Sequence, residues 1–145
     1  MDKLLLGFIV FLGLTAFTVR QEFDLPKINN TSFGPGEEIN YRVNFGFFTV
    51  GSAITKVDKR IFDINSRPSY KVDAFGSTSG MVSWITKVDD QWGAYIDTAA
   101  LVTHVSYRKI KEGRYRKDEL TTFNHATNKA EVKVRNKETG IYDNA

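Results

Sequence analysis

From Glu38 onward the apolar residues of this chain recur at every second position, and that period restricts it to strands with one buried face. Ile39, Tyr41, Val43 and Phe45 alternate with Asn40, Arg42 and Asn44. After Gly46, Phe47 to Arg60 reads as a second strand with Ala53, Thr55 and Val57 on one side. Arg67-Pro68 then marks a turn before a third strand, Tyr70 to Phe75, in which Tyr70, Val72 and Ala74 share a face. The run Gly76 to Gly80 is a flexible break. Met81 to Ile85 after it fits either one helical turn capped by Ser79 or the start of a strand, and the helical turn is preferred.

The second half repeats the pattern. Trp92, Ala94 and Ile96 alternate with Gly93, Tyr95 and Asp97, and a long strand runs from Leu101 to about Lys111. Glu112-Gly113 is a hairpin turn, since glycine takes positive φ without strain. Tyr115 to Phe123 returns, Asn124 to Asn128 turns again, and Ala130, Val132 and Val134 alternate. Asn136 to Gly140 is a last turn before Ile141-Tyr142-Asp143, which opens a further strand. An edge left in mid-hairpin reads as a fragment of a longer chain or as a frayed end. Tight turns pair strands antiparallel, because parallel pairing needs a long crossover. The expectation is an all-β domain, an antiparallel meander forming a strongly curved sheet or a partial β-barrel.

The N-terminus is different material. A short polar start with Lys3 leads into an apolar run from Leu4 to Val19, too short for a spanning helix of about twenty residues but suited to a signal-peptide core. Residues 1–19 read as a signal peptide with Ala16 as the last residue before cleavage, or as an uncleaved anchor. Residues 20–37 read as a linker, broken by Gly34-Pro35-Gly36, and 38–145 as the β domain. The triplets beginning at Asn29 and Asn30 are taken as ordinary loop residues rather than glycan acceptors. An exported chain is removed from nucleic acid, so its basic residues are not read as a nucleic-acid footprint. The chain has no cysteine, which excludes disulfides, thiol nucleophiles, cysteine-ligated zinc and a lipoprotein anchor.

Gly36-Glu37-Glu38-Ile39-Asn40-Tyr41-Arg42-Val43, followed by Val50-Gly51-Ser52-Ala53, resembles the opening of an exported bacterial family known as domain of unknown function 3108. Thr78-Ser79-Gly80-Met81 running into Val88-Asp89-Asp90 and Tyr95-Ile96-Asp97 is similar to it as well, as are Glu112-Gly113-Arg114-Tyr115 and Phe123-Asn124. The ordered set covers about residues 36 to 140. The resemblance implies an all-β domain in the periplasm or at the outer-membrane periphery of a Gram-negative bacterium. It implies longer members with further strands, and no established activity or catalytic residues.

Candidate chemistry is sparse. His104 lies two residues from Ser106, and i and i+2 share a strand face, yet no Gly-x-Ser-x-Gly elbow accompanies them. His125 lies in a turn without further ligands at metal spacing. Asp89, Asp90 and Asp97 offer a carboxylate pair on paper, but Asp89-Asp90 reads as a turn. No catalytic residue, metal or cofactor is assigned.

Two features remain. Aromatic residues make up 13% of the chain, and Tyr41, Phe45, Phe47, Tyr70, Trp84, Trp92 and Tyr107 could line an apolar groove. A buried 14-carbon chain would contribute about 10 kcal/mol there before binding costs. Arg108, Lys109, Lys111, Arg114, Arg116 and Lys117 cluster around the Glu112-Gly113 turn, where anionic lipid or glycolipid headgroups are the natural partners. The leading expectation is a non-enzymatic envelope protein whose curved sheet binds a lipid or other apolar ligand. The alternatives are a structural or assembly module docking another envelope protein, and an esterase-like hydrolase that needs His104 beside a nucleophile and an acid.

Overall fold

Tight turns join most strands to the next, so pairing follows chain order. A computed structural model describes residues 24–145. Strands β1 (Glu38–Phe45), β2 (Phe48–Ile64), β3 (Arg67–Thr78), β4 (Asp89–Asp97), β5 (Thr103–Glu112), β6 (Tyr115–Asn124), β7 (Lys129–Arg135) and β8 (Tyr142–Asn144) form one sheet in the order β1 to β8. Every neighbouring pair is antiparallel. The expected all-β meander is present. β1 and β8 do not pair with each other, so among the described residues the sheet is open and no barrel closes. The signal or anchor segment, residues 1–19, lies outside the described residues.

Local departures from the expected boundaries have specific causes. β2 continues past Arg60 to Ile64 because a bulge between Val57 and Ile61 absorbs the polar run Asp58-Lys59-Arg60. Arg67-Pro68 is therefore not a turn but the start of β3, with Pro68 opposite Asp63. The turn is Asn65-Ser66, both at positive φ (55° and 59°), as a two-residue hairpin requires. Leu101 is not in a strand either. It turns at φ 54°, and its N–H donates to the Asp97 carbonyl at 3.0 Å. The helical turn α1 (Val82–Ile85) forms as expected, but Ser79 does not cap it, since Met81 occupies the N-cap and makes no side-chain cap bond.

Register fixes the two faces. One row across all eight strands is Ile39, Thr55, Ala74, Trp92, Arg108, Glu119, Val134 and Asp143, with the row Val57, Val72, Ala94, Ser106, Thr121 and Val132 beside it. The reverse face carries Lys56, Asp73, Gly93, Tyr107, Leu120 and Lys133. The first face receives residues 24–37, an irregular strap. The Ile28 N–H donates to the Ala99 carbonyl at 2.7 Å, the Gly36 N–H to Val57 at 3.0 Å, and the Val57 N–H to Glu37 at 2.8 Å. Leu25 is buried, and Phe33 meets Tyr70 edge to face at 5.5 Å. The strap covers only part of the face. Leu25, Val57, Ala100 and Ile110 are the buried apolar side chains, matched by buried Ser69, Asp90, Asp97 and His104. A sheet normally buries one face against a second layer, and here Ile39, Tyr41 and Val43 remain exposed.

Candidate functional site: a strapped apolar face

Between the strap and the sheet lies a cleft of about 260 Å³, lined by Phe33, Ile39, Thr55, Val57, Val72 and Ile96 with Glu37 at its margin. Side chains that alternate along β1 to β4 supply its floor, and Phe33 supplies its wall. The volume is just below the range of roughly 300 to 1,000 Å³ usual for small-molecule sites, and the lining is almost wholly apolar. It suits a short length of hydrocarbon better than a polar metabolite.

The aromatic residues expected to share one groove are divided by the structure. Tyr41, Phe45, Tyr70 and Trp92 alternate onto the strap face, where Tyr70 carries Phe33 and the Trp92 ring lies over Gly76. Phe47 is in the β1–β2 turn and Trp84 in α1, both almost fully exposed. Tyr107 belongs to the reverse face. Its ring covers Gly93, where a methyl group would overlap it, and its hydroxyl donates to Asp73. Gln91 donates to the same carboxylate oxygen at 3.0 Å, and Lys71 pairs with its other oxygen at 3.3 Å. Burial, reinforced by the Asp73 carboxylate, pushes the Tyr107 phenol well above its ordinary range and keeps it a proton donor. Tyr95 and Phe62 extend this packing, and the Arg60 guanidinium lies 5.0 Å over the Phe62 ring.

A second polar centre sits at the far end of β4. The carboxylate of Asp97 accepts bonds from Arg67, from the Ala99 and Ala100 N–H groups at 2.8 and 2.7 Å, and faces His104 Nε2 at 3.1 Å. Burial opposes its charge, but Arg67, the Ala100 N–H, His104 and the Ala99 N–H outweigh that and hold it well below the usual carboxylate range. His104 thus has an acid neighbour, but Ser106 is not among its hydrogen-bond partners. The acid is already engaged by the β4–β5 turn and Arg67. His125 Nε2 lies 2.8 Å from the Thr103 carbonyl, and its ring meets His104 at 5.6 Å. Among the described residues no group of three or more His, Cys, Asp or Glu could hold a metal ion. The three aspartates do not converge: Asp89 and Asp90 open β4, and Asp97 closes it about 23 Å away. Asp90 is buried and accepts the Lys111 N–H at 2.8 Å.

The six basic residues also part company. Arg108 and Lys117 share Glu119, at 2.7 and 2.6 Å, and these two cations, Arg108 first, hold the Glu119 carboxyl below its usual range. Lys111 lies 3.6 Å from Asp89, and Arg116 donates to the Gly113 and Tyr115 carbonyls. Lys109 and Arg114 are exposed and in no ion pair among the described residues. Arg67 and the strap residue Phe33 are the site residues that sequence reasoning missed. Asp97-Thr98-Ala99-Ala100, an Asp at a turn start, was a usable signal for the polar centre but not for Arg67, since such a carboxylate caps the N–H groups two and three residues on.

Comparison with curated proteins and with solved structures finds no match. Residues 40–145, which take in nearly the whole sheet, match the model of the family described as a protein of unknown function, DUF3108, and the chain belongs to that family.

Proposed function

We propose that the chain is a non-enzymatic, exported envelope protein whose strapped sheet face binds a lipid or other apolar ligand. The apolar cleft between Phe33 and the β1–β4 floor carries this reading. Six buried methylenes would contribute about 5 kcal/mol there before the costs of association. The N-terminal apolar run supports export, and with it a location in the periplasm or at the outer-membrane periphery. The engagement of Asp97 by Arg67 and two backbone N–H groups supports a structural role for the His104–Asp97 pair rather than an esterase. Native mass spectrometry of detergent-free protein tests the proposal: a bound mass in the lipid range is expected, and it is lost in Val72→Trp, which fills the cleft. A clean apo mass, or a bound mass that Val72→Trp does not change, refutes it.

The second reading is a module that docks another envelope protein. β1 supports it, because this edge strand is paired on one side only and all its residues are exposed. Such an edge accepts a partner strand through main-chain hydrogen bonds. Amide exchange in β1 that slows on adding envelope extract after a clean apo spectrum would favour it.

A further inference from the structure

Alternate connections of an antiparallel meander emerge at the same end, so the β1–β2, β3–β4 and β5–β6 connections lie together. Hydrogen bonds join them: the Ser79 N–H donates to Val50 at 3.0 Å, the Gly113 N–H to Lys87 at 2.8 Å, and Val88 bridges to Glu112. The first two connections and their flanks present Phe45, Phe47, Phe48, Met81, Trp84 and Ile85, every one more than 60% exposed. Monomeric soluble proteins seldom leave such a set uncovered. The third presents Arg114 and Arg116, flanked by Lys109, Lys111 and Lys87. The turn residues of the opposite end, at 65–66, 98–102 and 125–128, include none of the exposed large apolar side chains. The turns of one end are therefore greasy and basic together, while those of the opposite end carry no exposed large apolar side chain and have the exposed Ile28 and Lys129 as neighbours.

We propose that this end docks on a bilayer surface containing anionic lipids, with the Phe47 and Trp84 turns entering the boundary between headgroups and acyl chains. Aromatic and aliphatic side chains favour that depth, and lysine and arginine beside them meet anionic headgroups. Charge complementarity selects the bilayer as occupant: Lys111 has Asp89, but a purely apolar partner would leave Arg114 and Arg116, which meet no carboxylate among the described residues, without anions. The surface is separate from the strapped cleft, so docking holds even if that cleft is empty.

The absence of native cysteine allows single labels. Phe47→Cys, Trp84→Cys and, at the opposite end, Ala126→Cys would each carry an environment-sensitive fluorophore in the full chain. Added vesicles of phosphatidylethanolamine and phosphatidylglycerol should blue-shift the labels at 47 and 84 and leave the label at 126 unchanged. Reversing Lys111, Arg114 and Arg116 to Glu should weaken the response about tenfold or more, with circular dichroism confirming the fold. Comparing the label positions, each on the same full chain, separates docking of this end from any binding by the N-terminal apolar run. Labels at 47 and 84 that stay in water overturn the proposal and leave this end to a protein partner. An equal shift at 126 overturns the orientation. An equal shift on phosphatidylcholine vesicles, or one indifferent to the charge reversal, overturns the anionic-lipid assignment.

Discussion

Replacing Asp97 by Asn should be among the most costly single-atom changes in this sheet. In the wild type Oδ1 accepts the Ala99 and Ala100 N–H groups, and Oδ2 faces Arg67 Nε and His104 Nε2. The amide introduced by Asp97→Asn can keep its oxygen on the turn, which puts its NH₂ against the Arg67 N–H. The Arg67 bond to a charged acceptor is then lost and a donor is buried against a donor, each costing about 1.5 to 3 kcal/mol, while His104 Nε2 keeps its contact only by switching from donor to acceptor. Arg67 is partly exposed and regains water, so the net expectation is about 3 kcal/mol. With a urea slope of about 2 kcal/mol/M, the midpoint should fall by about 1.5 M at unchanged slope. Asp97→Ala, which also strips both turn N–H groups of their acceptor, should fall further. The folded carboxyl titrates below its unfolded value, so its contribution is complete above the ordinary carboxylate range and fades as pH falls through the depressed folded value. The gap between wild type and Asp97→Asn should narrow in acid. A variant within about 0.5 kcal/mol of wild type, the range of ordinary surface changes, refutes the reasoning. So does a gap that stays constant in acid.

Two further outcomes are expected from the reverse face and the basic hairpin. Gly93→Ala forces a methyl into the Tyr107 ring and should cost about 1 to 3 kcal/mol in urea unfolding, a cost that survives Tyr107→Phe and vanishes in Tyr107→Ala. Glu119→Gln should destabilise by about 1 kcal/mol at neutral pH, because Arg108 and Lys117 lose their shared carboxylate. The depressed carboxyl of Glu119 makes that loss present above its unfolded value and absent in strong acid, which thermal melts across pH would show.

The period-two pattern disclosed the strands because each buries one face, and the tight turns disclosed their antiparallel order. It failed where the backbone leaves the period. Asp58-Lys59-Arg60 looks like a strand end because it is polar, yet a bulge carries β2 through it. Leu101 looks like strand because it is apolar, yet it turns at positive φ. Alternation also says which residues of one strand share a face, but not how neighbouring strands are registered. Tyr107 consequently could not be separated from Tyr41 and Trp92 until Tyr107 was seen opposite Gly93. Arg67 reaches Asp97 only because Ser69 pairs with Asp97 thirty residues on from Arg67, a relation no local pattern contains. Likewise the basic hairpin was legible from Arg108 to Lys117, whereas its nearness to Trp84 depends on the bond from Gly113 to Lys87.

Strand order that equals chain order has a consequence for how the protein is made. Each strand pairs only with its neighbours in sequence, so the loops closed during folding are short and the entropy of closing them is small. Nothing in the sheet waits for a distant partner. A chain emerging N-terminus first can lay each new strand on the one before it, and can peel from either edge without disturbing the middle. Amide protection should then form a gradient, greatest in β3 to β5 and least in β1 and β8, rather than a single cooperative block.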